Sequence, residues 1–172
     1  MSEVRIYRRP LAAVARRERR GAEREAVARL VVEAFGADAV MEHMDDGRPY
    51  VVSCPEKYVS VSHCMDECVL AVSDSPVGVD VETFRQQLAG IAVKFLTPAE
   101  AAHGPHDMDA LMRYWTAKEA VFKCAGIKGL VISEIEVSDD FSRATVRGCE
   151  YRLEYFCTPG KVMAIAGMGE DK

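Results

Sequence analysis

No run in this 172-residue chain approaches the about 18 apolar residues of a membrane span, and its start, MSEVRIYRRP, lacks the apolar core of a secretion signal. The expectation is a soluble, cytoplasmic protein with no membrane partner. No CxxC pair occurs among the six cysteines, Cys54, Cys64, Cys68, Cys124, Cys149 and Cys157. His63, Cys64 and Cys68 lie near one another, but no second ligand pair follows at zinc spacing, so free thiols are expected, with no disulfide and no zinc. Proline (7) and glycine (12) are sparse and no low-complexity linker or strict repeat occurs, which excludes a disordered or tail-like protein.

What is present, 49% hydrophobic and 28% charged residues, is enough to build a core as one domain or as two small, closely packed halves. The net charge of -5 conceals an asymmetry: nine arginines, Arg5, Arg8, Arg9, Arg16, Arg17, Arg19, Arg20, Arg24 and Arg29, fall within the first 29 residues. Glu18, Glu23 and Glu25 are interleaved with them, and Glu25 to Arg29 has the favourable i, i+4 order, so a solvated helix face accounts for the run. An anionic partner is the other reading. A pI of about 5.4 argues against nucleic acid as that partner.

Along the chain, residues 16 to 35 carry Val27, Leu30, Val31, Ala34 and Phe35 at helical spacing, with Gly36 as C-cap. The turn Asp46-Gly47-Arg48-Pro49 leads to Val51 and Val52. Val59 and Val61 alternate with Ser60 and Ser62, the period of a half-buried strand, and strands at 68–73 and 77–82 complete a meander. Thr97-Pro98-Ala99-Glu100 is a capping box with proline at N1. A helix is predicted over 107–124, with an apolar stripe of Leu111, Met112, Trp115 and Phe122 and Gly126 as terminator. Strands are predicted at 131–137, 150–156 and 161–166, with Thr158-Pro159-Gly160 as a hairpin turn. The order of elements implies an α+β protein of two similar halves.

In VGVDVE the valines 77, 79 and 81 fall on one face of a strand and Asp80 and Glu82 on the other. Alone, the pair is equally well a solvated sheet face. Glu119 and Lys123 lie four apart on the second helix, with Lys118 beside Glu119. An ordinary exposed ion pair accounts for these as well. Brought against Asp80 and Glu82, however, a third carboxylate creates an oxygen-rich site suited to Mg²⁺, with lysines to offset charge on phosphate.

VGVDVE followed at this distance by WTAKEAVFK resembles the paired signature of the 4′-phosphopantetheinyl transferases, and FLTPAEAA between them resembles that family's phenylalanine-containing helix start. The resemblance is clear over about Asp46 to Leu130. With 79 residues ahead of Asp80, the chain looks like the surfactin-synthetase-activating type. That resemblance implies two α/β halves packed as a pseudo-dimer in a monomer, 1–76 on the coenzyme A 3′-phosphate side and 77–172 on the metal and catalytic side, as one compact unit. It implies transfer of the phosphopantetheine arm of coenzyme A to a serine of an apo acyl, peptidyl or polyketide carrier protein, releasing adenosine 3′,5′-bisphosphate.

By the same resemblance, Asp80, Glu82 and Glu119 hold Mg²⁺, with Mn²⁺ as substitute, and Glu119 and Lys123 are catalytic. Arg48, Ser62 and His63 bind the 3′-phosphate, Pro49 shapes the turn near the adenine, and Lys118 is a second phosphate contact. Exposed apolar residues near Phe84 or Leu88 are expected to dock the carrier, with the basic N-terminal segment steering it. Two competing readings use the same residues: a magnesium-dependent nucleotide pyrophosphohydrolase with water as acceptor, and a nucleic-acid-binding module with merely solvated carboxylates.

Overall fold

The computed structural model describes residues 3–103 and 106–169. Strand β1 (Val4–Pro10) leads to helix α1 (Arg19–Phe35), then to the short strands β2 (Met41–His43) and β3 (Pro49–Val51) and to β4 (Tyr58–His63) and β5 (Glu67–Ser73). The main sheet of this part has the antiparallel order β1-β5-β4. On β5, Cys68 and Leu70 turn to one face and Val69 and Ala71 to the other; all four are buried. The first pair packs with Leu30 and Val31 of α1 and with Val51 and Val59. Gly36 ends α1 with a positive φ of 103°, as its sequence position implied.

Strand β6 (Val77–Thr83) is followed by α2 (Leu88–Ile91), α3 (Pro98–Ala102), α4 (Met108–Ala125), β7 (Glu136–Val137), β8 (Arg143–Val146), β9 (Cys149–Thr158) and β10 (Lys161–Met168). The capping box forms: the Thr97 side chain accepts from Glu100 N–H and the Glu100 carboxylate from Thr97 N–H. Asp107 caps α4, and Gly126 ends it in the left-handed conformation. The second sheet has the order β6-β10-β9-β8-β7. Thus β6 does not extend a meander from β5, because it pairs with β10, far along the chain. The strand predicted at 131–137 forms only over Glu136–Val137, since Ile132–Glu134 closes into a 3₁₀ turn. Both β1 and β8 were unread in the sequence.

These elements stack as helix, sheet, sheet, helix. Val77, Val79 and Val81 of β6 join Met163 and Ile165 of β10 against Cys64, Val69 and Ala71 of the first sheet. The opposite face of the second sheet packs on α4 through Val162, Ala164 and Ala166. Each fully buried valine or isoleucine in the inter-sheet layer contributes about 1.5–3 kcal/mol. In both sheets the first strand pairs antiparallel with the last, and the last with the penultimate: β1-β5-β4 and β6-β10-β9. The chain is therefore α+β with a recurring strand order.

The seam between the halves explains the polar face of β4. Ser60 and Ser62 are buried, not solvated, and they meet the free edge of β6: Ser60 Oγ accepts from Val79 N–H at 3.0 Å and Ser62 Oγ from Val81 N–H at 3.2 Å. Two edge strands thus join through serine hydroxyls in place of a backbone ladder, each such bond contributing about 1 kcal/mol.

Candidate active site

Asp80 and Glu82 lie on the α4 side of β6 with exposures of 5% and 7%. In each carboxylate one oxygen is held and the other is not. Asp80 Oδ1 accepts from Ser62 Oγ (2.8 Å) and from Lys123 Nζ (2.8 Å), while Oδ2 is buried with no partner among the described residues. Glu82 Oε1 accepts from the Trp115 indole N–H (3.0 Å), and the Trp115 ring meets the Phe95 ring edge-on, with centroids 5.4 Å apart. Glu82 Oε2 lies 3.0 Å from Arg85 Nη2 but lacks a hydrogen-bond partner. Lys123 also donates to the Val79 carbonyl, on the free edge of β6.

Glu119, one helical turn before Lys123, completes the group. Burial, then the neighbouring Asp80, pushes the Glu82 carboxyl up to about 7. Burial and Asp80 likewise raise Glu119, against the opposing pull of Lys123 and Arg85. Like charges gathered in a dry place are stabilised by a cation. The donor set is all oxygen, with Asp80 Oδ2 and Glu82 Oε2 buried and without a hydrogen bond among the described residues, the latter facing only the Arg85 guanidinium, and it fits Mg²⁺ or Mn²⁺. Among the described residues no three His, Cys, Asp or Glu side chains are gathered closely enough, as they stand, to hold a metal ion by themselves. A cation bound there would need waters and phosphate oxygens to complete its shell, which is how Mg²⁺ is usually held.

Two residues expected at the phosphate are buried and engaged within the protein. Lys118 is 0% exposed; its ammonium pairs with Glu100 at 2.7 Å and donates to the Ile135 carbonyl. Glu100 in turn accepts from Thr97 N–H and Val137 N–H, both at 2.7 Å, so the pair joins α3, α4 and the start of the last sheet segment. Lys118 is one residue from Glu119, hence about 100° around the helix, and that rotation carries it into the core. Ser62 is also buried, with its hydroxyl engaged by Asp80 and Val81.

Arg48 and His63 are accessible. Arg48 forms a fork to Asp46 Oδ2 (Nε 2.8 Å, Nη2 2.7 Å), and its stem lies against Gly126 at the end of α4. Pro49 opens β3 directly after it. His63 ends β4, with its side chain 46% exposed and Nδ1 3.4 Å from Glu23 Oε1. Glu23 also accepts from Arg19 Nε (2.7 Å), and Arg19 Nη2 donates to the Cys64 carbonyl (2.8 Å). Arg19 thus stands beside His63, a placement that the sequence hides among nine similar arginines. Arg8, Arg9, Arg17, Arg19 and Arg29 all pair with glutamates, so much of the basic run is locally neutralised. Phe84 is 54% exposed as expected, but Leu88 is buried under α4. Phe122 faces outward, and small residues, Ala117, Ala120 and Cys124, take the buried face instead.

An open, oxygen-rich group flanked by cations on an α+β scaffold defines a candidate centre for metal-assisted phosphate chemistry. Residues 76–163, just over half of the chain, match the family model of the 4′-phosphopantetheinyl transferase superfamily. The chain is 34% identical over 89 residues to a Bacillus subtilis 4′-phosphopantetheinyl transferase, covering 49% of this chain and 39% of that protein. It is 28% identical over 149 residues to the Bacillus subtilis 4′-phosphopantetheinyl transferase ffp, covering 78% of this chain and 66% of the relative. It is 30% identical over 96 residues to the Bacillus pumilus 4′-phosphopantetheinyl transferase psf-1, covering 53% and 41%. The chain thus spans less than two thirds of the length of these curated relatives. It belongs to the 4′-phosphopantetheinyl transferase superfamily.

Proposed function

We propose that this chain transfers the 4′-phosphopantetheine arm of coenzyme A to a serine of an apo acyl, peptidyl or polyketide carrier protein, releasing adenosine 3′,5′-bisphosphate. The observation that carries the reading is the pair of buried carboxylate oxygens on Asp80 and Glu82 that lack a hydrogen bond among the described residues, beside Glu119, Lys123 and Arg85. Asp80, Glu82 and Glu119 hold Mg²⁺, with Mn²⁺ as substitute. Bound there, the cation supplies Lewis-acid stabilisation of charge on the pyrophosphate. Glu119 takes the proton of the incoming serine directly or through a water. The serine Oγ–P bond forms as the bond from phosphorus to the leaving bisphosphate breaks. Lys123 offsets charge on the phosphoryl group in transit.

Arg48 and His63 bind the 3′-phosphate, where donors and positive charge are needed, and Pro49 holds the turn that presents Arg48. The recurring strand order supports a pseudo-dimer whose halves meet between residues 76 and 77, with one site per monomer. Free thiols support a reducing, cytoplasmic setting. Among the described residues no helix is long and apolar enough to cross a membrane.

The test is incubation with coenzyme A, Mg²⁺ and an apo carrier domain, for wild type and Asp80→Ala. A mass gain of one phosphopantetheine arm on the carrier, lost in the variant, is the expected result. Hydrolysis of coenzyme A without carrier modification would replace this reading with the pyrophosphohydrolase one.

A further inference from the structure

Ser62 is 6% exposed and its hydroxyl has two partners, neither of them facing solvent. It accepts from Val81 N–H at 3.2 Å, so its own proton is free to point at Asp80 Oδ1, 2.8 Å away. An ionised carboxylate is acceptor-only, which fixes the direction of that bond. Lys123 Nζ donates to the same oxygen at 2.8 Å. With Oδ1 engaged by two donors, Oδ2 is left as the oxygen available to a cation.

Resting on the functional reading above, we infer that Ser62 is a positioning residue for the metal ligand Asp80 and does not bind the 3′-phosphate. It fixes the carboxylate with Oδ1 engaged, so that Oδ2 is the oxygen that would meet a cation. It does so across the seam between the halves, since Ser62 belongs to β4 and Asp80 to β6. His63, the next residue on β4, points to the opposite side of the strand and is accessible, so two adjacent residues serve two ends of one substrate. Outer partners that orient a metal ligand commonly change metal affinity or activity by about 10–100-fold when removed.

Ser62→Ala and His63→Ala separate the two roles. For Ser62→Ala the expected result is a loss of Mn²⁺ affinity of about tenfold, measured by calorimetric titration without substrate, and a loss of kcat of similar size. The loss is expected to be the same with coenzyme A and with 3′-dephospho-coenzyme A. For His63→Ala the Mn²⁺ affinity stays at the wild-type level, and the preference for coenzyme A over the dephospho form shrinks. Ser62→Thr, which keeps the hydroxyl, is expected to recover Mn²⁺ affinity at least in part.

A Ser62→Ala protein with a native circular dichroism spectrum that binds Mn²⁺ as wild type does, or whose defect disappears with the dephospho substrate, overturns the inference. A wild type that binds Mn²⁺ but modifies no carrier removes the transferase reading alone, and the Mn²⁺ titrations still decide the role of Ser62. A wild type that binds no Mn²⁺ removes both.

Discussion

A Cβ built on Gly78 would stand 1.9 Å from the Ala120 carbonyl oxygen and 2.7 Å from the Cys124 backbone nitrogen. The glycine of VGVDVE is therefore the point at which β6 and α4 approach most closely among the described glycines. The atoms in the way are helix backbone, so no rotamer change relieves the clash. This approach brings Asp80, two residues along the strand, within reach of Lys123 on the helix.

Gly78→Ala is accordingly expected to destabilise the fold by about 3 kcal/mol or more, the upper part of the range for overpacking. Urea denaturation followed by circular dichroism measures it. A loss under about 0.5 kcal/mol, the range of an innocuous surface change, would show that strand and helix separate easily and that their contact does not set the site.

The buried pair Glu100 and Lys118 gives a second expectation. Lys118→Met leaves Glu100 in a dry place without its cation, and breaking such a pair by removing one partner costs about 3–5 kcal/mol. The double variant Glu100→Gln, Lys118→Met removes the second buried charge and is expected to regain part of that loss. A double-mutant cycle on denaturation midpoints reads the coupling. If Lys118 instead contacted phosphate, its single variant would fold with wild-type stability and bind coenzyme A more weakly.

The contrast between Lys118 and Lys123 shows how much of the site could be read in the chain. VGVDVE and WTAKEAVFK singled out Asp80, Glu82, Glu119 and Lys123 because strand and helix periods place Asp80 with Glu82, and Glu119 with Lys123, on one face of each element whatever surrounds them. The burial of Lys118 and Ser62 was not foreseen because their partners, Glu100 and Asp80, are 18 residues away in sequence. No local period encodes such a contact. For the same reason β1 went unread: VRIYRRP is strongly charged and becomes a strand by pairing with the apolar β5. Leu88 was expected outside, since only the packing of α2 against α4 decides that it is covered. The capping signal at Thr97, being local, held.

Glu82 determines a pH dependence whose sign is fixed. Its carboxyl rises from 4.5 to about 7 on folding, chiefly by burial and then by the proximity of Asp80. Between those values the folded state holds the proton more tightly, so this contribution is fully present below about 4.5 and is lost as pH rises through about 7. It amounts to something on the order of 3 kcal/mol. Metal-free wild type is expected to lose more Tm between pH 5 and 7.5 than Glu82→Gln, which has no proton to release at that position. Equal slopes in the two proteins would place Glu82 in water. Added Mg²⁺ is expected to raise the wild-type Tm at pH 7.5 by binding the ionised carboxylates.

Gly126 offers a way to move Arg48 without touching its charge. The glycine has φ of 57°, and a Cβ there would lie 2.9 Å from Arg48 Cδ. Gly126→Ala therefore combines a backbone strain of about 1–2 kcal/mol with displacement of a flexible side chain. That displacement breaks the alignment of the guanidinium fork, on which binding of a phosphate depends. The expected outcome is a rise of several-fold in KM for coenzyme A, with Mn²⁺ affinity unchanged because the nearest atoms that a Cβ at Gly126 would meet belong to Arg48 and not to the three carboxylates. Arg48→Lys, which keeps the charge and loses the fork, is expected to raise KM in the same direction. If Gly126→Ala lowers stability as stated while KM for coenzyme A stays at the wild-type value, Arg48 has no part in holding the 3′-phosphate.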